Sequence, residues 1–176
     1  MFSFRSLTGG FFSTSLAVLA LGLSVDLAAA QGTERIGDFG DWSAFRYKEN
    51  NQTICYIASI PKKDEGDYTR RGDIFAIVTH RPSENTRNEF SLVAGYSYKD
   101  GSSVELLIGD RKWTLFTDAD GAFAADAETD NAIVNAMVKG TTMKAKGTSS
   151  RGTATTDTYS LIGFTKAHKA INQACK

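Results

Sequence analysis

The chain holds only two cysteines, Cys55 and Cys175, and the second stands one residue before the C-terminus. Joined, they would close a loop of about 120 residues, worth about 4–5 kcal/mol in the chain-entropy account of cross-linking. That is comparable to much of the net stability of a small domain. The alternative is a pair of unpaired, buried thiols. The redox compartment decides between them, so the N-terminus has to be read next.

The chain opens "MFSFRSLTGGFFSTSLAVLALGLSVDLAAAQG". Arg5 precedes an apolar stretch over 11–25, which gives way to Ala28, Ala29 and Ala30. This is the order of a secretory signal peptide, with cleavage expected between Ala30 and Gln31. A retained membrane anchor fits less well. The apolar run is shorter than the roughly 20 residues a bilayer requires, and Ser13, Thr14, Ser15 and Ser24 interrupt it. No cysteine lies at the cleavage point, which argues against a lipid anchor. The expected organisation is a signal peptide over 1–30 and one domain over 31–176, with no transmembrane anchor after processing. Export favours the Cys55–Cys175 pairing. The 20 basic and 20 acidic residues cancel, so no broad field attracts nucleic acid or anionic lipid.

Most of the exported part alternates apolar and polar residues, the period of a strand. "DWSAFRYK" and "TICYIASI", separated by "ENNQ", read as a hairpin. In the second run Cys55, Ile57 and Ser59 share one face, and Ile54, Tyr56, Ala58 and Ile60 the other. "PKKDEGDYTRRGD" reads as a charged loop and "IFAIVTH" as a central strand. "EFSLVAGYSY" puts Phe90, Leu92, Ala94, Tyr96 and Tyr98 on one face. "SVELLIG" and "RKWTLFT" form a hairpin around Gly109 and Asp110, and "TDADGA" is a turn. The period then changes: "TDNAIVNAMVKG" is a helix with Thr129 as N-cap and Gly140 as its stop. Two threonine-rich strands flank a "TSSR" turn. The last segment is a helix repeating at Leu161, Phe164, Ile171 and Cys175, with Ser160 as N-cap. Cys175 follows Ile171 by four residues, so its sulfur leans toward the buried face. About eight or nine strands with two helices make the fold mainly β, a β-sandwich with helical additions.

"FGDWSAF", the "CYIAS" before Pro61, "AMVKGTTMKAKGTSSRGTATTDTYSLIGFTKAHKAI" and the final cysteine resemble the invasion-associated locus B family, exported proteins of alphaproteobacteria. The resemblance covers most of the exported part. It implies an immunoglobulin-like β-sandwich with a short inserted helix and a C-terminal helix, and a loose association with host-cell invasion. It implies no reaction. Trp42, Cys55, Gly152, Thr153, Ser160, Leu161, Gly163 and Phe164 match the family pattern. Many longer relatives carry a further cysteine pair before the short helix, where this chain reads "GAFAADAE". Read from the residues, Gly152 serves a turn, Leu161 and Phe164 anchor the helix, and Trp42 is a core residue rather than a ligand platform.

Motifs for chemistry are sparse. His80 and His168 lie far apart in sequence and have no metal-ligand spacing. In "TDADGAFAADAETD", placing Gly121 at the sixth loop position leaves Phe116 first and Ala127 twelfth, where calcium needs carboxylates. There is no G-x-S-x-G elbow. Asp118 with Asp126 could in principle serve glycoside hydrolysis, but acidic turns explain them more simply. Arg71-Gly72-Asp73 reads as a turn rather than a displayed integrin motif. The sequence therefore points to a non-enzymatic interaction module without a cofactor or metal. It would be periplasmic or secreted, in loose contact with the outer membrane at most, and meet a protein or glycan at the envelope or on a host cell through loops and strand edges. The alternative is a small envelope hydrolase, or an inhibitor of one, acting on cell-wall glycan. A histidine in a cleft beside a serine or two carboxylates would favour that alternative.

Overall fold

The computed structural model describes residues 32–176, so the signal segment and the Ala30–Gln31 junction lie outside the described residues. The strands are β1 (Glu34–Phe39), β2 (Trp42–Glu49), β3 (Gln52–Ser59), β4 (Lys63–Gly66), β5 (Phe75–Arg81) and β6 (Thr86–Val93). They continue with β7 (Ser103–Ile108), β8 (Arg111–Asp118), β9 (Gly121–Phe123), β10 (Thr142–Thr148) and β11 (Ala154–Ser160). Helix α1 (Ala127–Lys139) is inserted before β10, and α2 (Phe164–Ala174) ends the fold. The architecture is a mainly antiparallel β-sandwich with an inserted and a C-terminal helix.

One continuous sheet makes both layers, in the order β1-β2-β3-β5-β6-β9-β8-β7-β10-β11-β4. The three-residue β9 bridges β6 to β8. The first layer contributes Trp42, Ala44, Ile57, Val78 and Phe90 to the core, and the second Leu106, Leu115, Met143 and Tyr159. Burying each Val, Leu, Ile, Phe or Met side chain of this set is worth about 1.5–3 kcal/mol. Helix α2 lies on the inward face of β1, β2, β3 and β5, and α1 packs on β6.

The β2–β3 hairpin follows from its turn residues. Asn50 and Asn51 both take positive φ, 49° and 63°, as a tight two-residue hairpin requires and as asparagine tolerates. Register then runs without slip from Ser43 opposite Ala58 to Glu49 opposite Gln52. The β7–β8 hairpin turns at Gly109 and Asp110, and the 118–121 turn joins β8 to β9, as expected.

Four expectations change. Strand β1 is an additional partner of β2, too mixed in polarity to show a strand period. The charged loop contains β4, which crosses to the far edge and pairs with β11. The strand at Phe90 ends at Val93, because Gly95 at φ +70° bends the chain where it meets Gly72. Both helices start at other caps. Asp126, whose side chain accepts the Thr129 N–H at 2.7 Å, caps α1. Ser160 pairs with Thr142 in β11 instead of capping α2. Gly163 begins that helix at φ +92°, where a Cβ would stand 1.6 Å from the Phe39 carbonyl oxygen. Only glycine meets both conditions.

Trp42 is fully buried and meets Phe164 edge-to-face at 5.0 Å. Its Nε1–H donates to the Ser160 carbonyl oxygen at 2.9 Å, tying the first layer to the end of the second. Trp42→Phe removes that bond and some buried area. It is expected to cost about 1–3 kcal/mol, read from the urea midpoint at an unchanged m-value.

Candidate functional site

Strands β2, β3 and β5 turn an apolar face outward. Cross-strand register places Ser43, Ala58 and Ile77 in one row and Phe45, Tyr56 and Thr79 in the next. Small Ser43 and Ala58 leave a dip. Ile60, 62% exposed, and Phe75 stand at one end. Phe45 stacked on Tyr56 at 4.9 Å, with Tyr47 edge-on to Tyr56, forms the other wall. The trough encloses about 770 Å³, within the usual range of ligand sites, roughly 300–1,000 Å³.

The trough's hydroxyls and charges largely bond among themselves. Ser43 Oγ donates to Asp38 at 2.6 Å, and Ser59 Oγ to the Asp41 carbonyl oxygen at 2.6 Å. Lys62 pairs with Asp41 at one end, and Arg81 with Glu89 at the other. The Ser43 hydrogen bond, with Arg35 beside it, holds the Asp38 carboxyl below the usual range, and Lys62 does the same for Asp41. Burial pushes the Tyr56 phenol up. The Arg35 guanidinium lies over Phe45 at 5.7 Å. This surface offers ring faces and aliphatic area.

Strand edges are guarded. β1 carries an irregularity between Arg35 and Gly37 together with exposed charges, and β4 reads Lys-Asp-Glu-Gly, all exposed. Both are devices against edge pairing. The open apolar surface is therefore a sheet face rather than an edge.

The structure brings His80 and His168 together, with ring centroids 5.6 Å apart. Their nitrogens meet asparagines, not a serine or a carboxylate: Asn172 for His80 at 2.9 Å and Asn88 for His168 at 2.7 Å. Among the described residues no group of three or more His, Cys, Asp or Glu side chains could hold a metal ion. Asp118 and Asp120 are exposed in the β8–β9 turn, and Asp126 caps α1.

Arg71 of the Arg-Gly-Asp tripeptide is not on display. It forms a fork on Asp157, Nη1 to Oδ1 and Nη2 to Oδ2 at 2.6 Å each, and Nε donates to the Ala94 carbonyl oxygen. Leu161 and Phe164 are buried, and Gly152 occupies its turn at φ +85°. Cys55 and Cys175 are joined in a disulfide, with Cα atoms 6.0 Å apart.

Sequence reasoning missed the trough. Its signal was the outward row Tyr56, Ala58, Ile60: when a strand is apolar on the face opposite its core row as well, that outer face is a candidate contact surface. The asparagines at 88 and 172 carried no signal, because their role depends on which side chains the fold sets beside them.

No curated protein matches the chain. The crystal structure of invasion associated protein B from Bartonella henselae is similar in fold, with a TM-score of 0.53 at 14% sequence identity. That match covers 78% of this chain and 95% of the other. The family model described as "Invasion associated locus B (IalB) protein" matches residues 42–172, a span from the buried Trp42 to the Asn172 that holds His80. The chain belongs to the invasion associated locus B family.

Proposed function

We propose that this chain is an exported binding module of the cell envelope, acting without catalysis, and that it meets a protein or glycan partner through the outer face of β2, β3 and β5. The observation that carries the reading is the solvent-facing aromatic trough, whose hydroxyls and charges are already bonded among themselves. A contact surface needs area and shape. A hydrolase needs a proton donor and acceptor beside a reacting group, and both histidines are instead hydrogen-bonded to amides. In this reading residues 1–30 are removed as a signal peptide, the mature chain starts at Gln31 as a single domain, and the disulfide suits the periplasm or the exterior. No helix among the described residues is long and apolar enough to cross a membrane.

The test is crosslinking in intact cells, from a photo-reactive residue placed at Ala58. The expected result is a discrete protein or glycan adduct that Tyr56→Asp abolishes while the unfolding free energy from urea titration changes by less than about 1 kcal/mol, as for other surface changes. Capture of only a small molecule that the protein turns over would defeat the reading. Intact mass of the exported protein should place its first residue at Gln31.

A further inference from the structure

The two histidines and three asparagines form one directed hydrogen-bond chain. The Asn88 backbone N–H donates to His80 Nδ1 at 3.1 Å. His80 Nδ1 also lies 3.1 Å from the Thr79 carbonyl oxygen. With Nδ1 accepting from Asn88, the His80 proton sits on Nε2, which donates to Asn172 Oδ1 at 2.9 Å. With its oxygen engaged, Asn172 presents Nδ2 to His168 Nδ1 at 3.3 Å. His168 then carries its proton on Nε2 and donates to Asn88 Oδ1 at 2.7 Å. Asn88 Nδ2 passes on to Asn131 Oδ1 at 2.7 Å, and Asn131 Nδ2 to the Ala127 carbonyl oxygen. Each bond between these side chains has one donor and one acceptor while both rings are neutral.

Both α2 residues in this chain, His168 and Asn172, are one helical turn apart, and they hold the helix to β5 and β6 and, through Asn88, to α1. A second proton on His168 would place an N–H at Nδ1, facing the Asn172 amide NH₂. On His80 it would face the Asn88 N–H, with the Thr79 carbonyl oxygen 3.1 Å away as an acceptor. At His168 the donor would then meet a donor, and two imidazolium rings 5.6 Å apart would repel. Nearby carboxylates are committed elsewhere. Asp130 on α1 accepts the Phe90 N–H at 2.9 Å, and Glu89 on β6 pairs with Arg81. Arg87 on β6 acts on His80 as a further positive charge, and Lys169 lies next to His168 on α2. On the β3 side His80 lies opposite Cys55, and Arg46, next across on β2, pairs with Glu34.

We infer that α2 is a helix latched by a neutral histidine pair, which lifts from the sheet in acid while the Cys55–Cys175 bond keeps its last turn tethered. The titration supports the geometry. Burial, with Arg87 adding to it, pushes His80 below its ordinary value. Burial and then His80 bring His168 down to about 4. The latched form excludes protons that the lifted form binds. Lifting is therefore favoured as pH falls below about 6.5, and the effect levels off once pH drops below about 4. At pH 4.5 His168 alone shifts the equilibrium by about 50- to 100-fold.

The experiment is amide hydrogen exchange of the intact, oxidised protein at pH 7 and 4.5, corrected for intrinsic rates. Peptides from α2 are compared with peptides from β10 and β11. The expected result is a loss of protection in α2 at least tenfold larger than in the strands. In His168→Gln, whose amide keeps a donor and an acceptor but cannot titrate in this range, that difference should shrink to a few-fold. Equal loss in α2 and the strands, or none in α2, overturns the latch. The wild-type profile decides by itself if the variant does not fold.

Discussion

Arg71→Ala is expected to destabilise the protein by about 3–5 kcal/mol, as removal of one partner from a buried ion pair does. The side chains of Arg71 and Asp157 are 3% and 8% exposed, so water cannot replace the missing guanidinium. Burial opposes the charge on Arg71, but the bonds to Asp157 outweigh it and raise its pKa. For Asp157 burial is the larger influence and pushes the carboxyl up against the pull of Arg71, with Asp64 pushing the same way. The fork is short and bidentate and Arg71 stays charged, so we assign the pair as ionised. Without Arg71, Asp157 must bind a proton or draw in water. The fork also holds the chain where it returns from β4 to β5, with the guanidinium 4.8 Å from the Tyr96 ring centroid.

Urea unfolding checks the number. A loss below about 1 kcal/mol would mean that the pair is solvated and worth no more than a surface bridge. Arg71→Met with Asp157→Leu should recover much of the loss, because replacing a whole buried pair by apolar groups of similar volume is often neutral. Failure to recover would show that the fork and its bond to Ala94 carry the return of the chain by geometry, and not only by charge.

Cys55→Ala with Cys175→Ala is expected to cost about 4–5 kcal/mol in the chain-entropy account, and no less than about 2 kcal/mol. The sequence separation of 120 residues makes the released loop nearly the whole described chain. Both sulfurs are buried, so alanine introduces no polar group. The loss should not be uniform. Cys175 holds the end of α2, so that helix should lose exchange protection before β7, β10 and β11 do. Unfolding of the oxidised protein and of the double variant gives the difference. If both thiols alkylate under non-reducing conditions, the bond is absent from the protein and the prediction fails.

What the residues alone make legible, and what they leave hidden, separates along physical lines. The hairpins at Asn50 and Gly109, both helices and the inward lean of Cys175 follow from periodicity and turn chemistry, which act over a few residues. So does the core role of Trp42, Leu161 and Phe164. The cap of α2 was misplaced because strand pairing at Ser160 and the close approach at Gly163 are contacts with distant chain, whereas the Asp126 cap of α1 is local and was legible in the sequence. Strand β4 was hidden because a guarded edge strand looks like a charged loop.

By itself the sequence determined a mainly β chain with a core-facing C-terminal helix, a pair of cysteines able to meet, and an absence of motif chemistry. All of these depend on residue type and spacing. Tertiary structure alone decided three other things: that Arg71 is locked on Asp157, that His80 and His168 touch through asparagines, and that Phe45, Tyr56 and Ile60 enclose a trough. The first two join residues whose separation along the chain carries no period, and the third sets Phe45 beside a row that β3 alone carries; only the register of the ladders and the crossing of β4 set these distances in space.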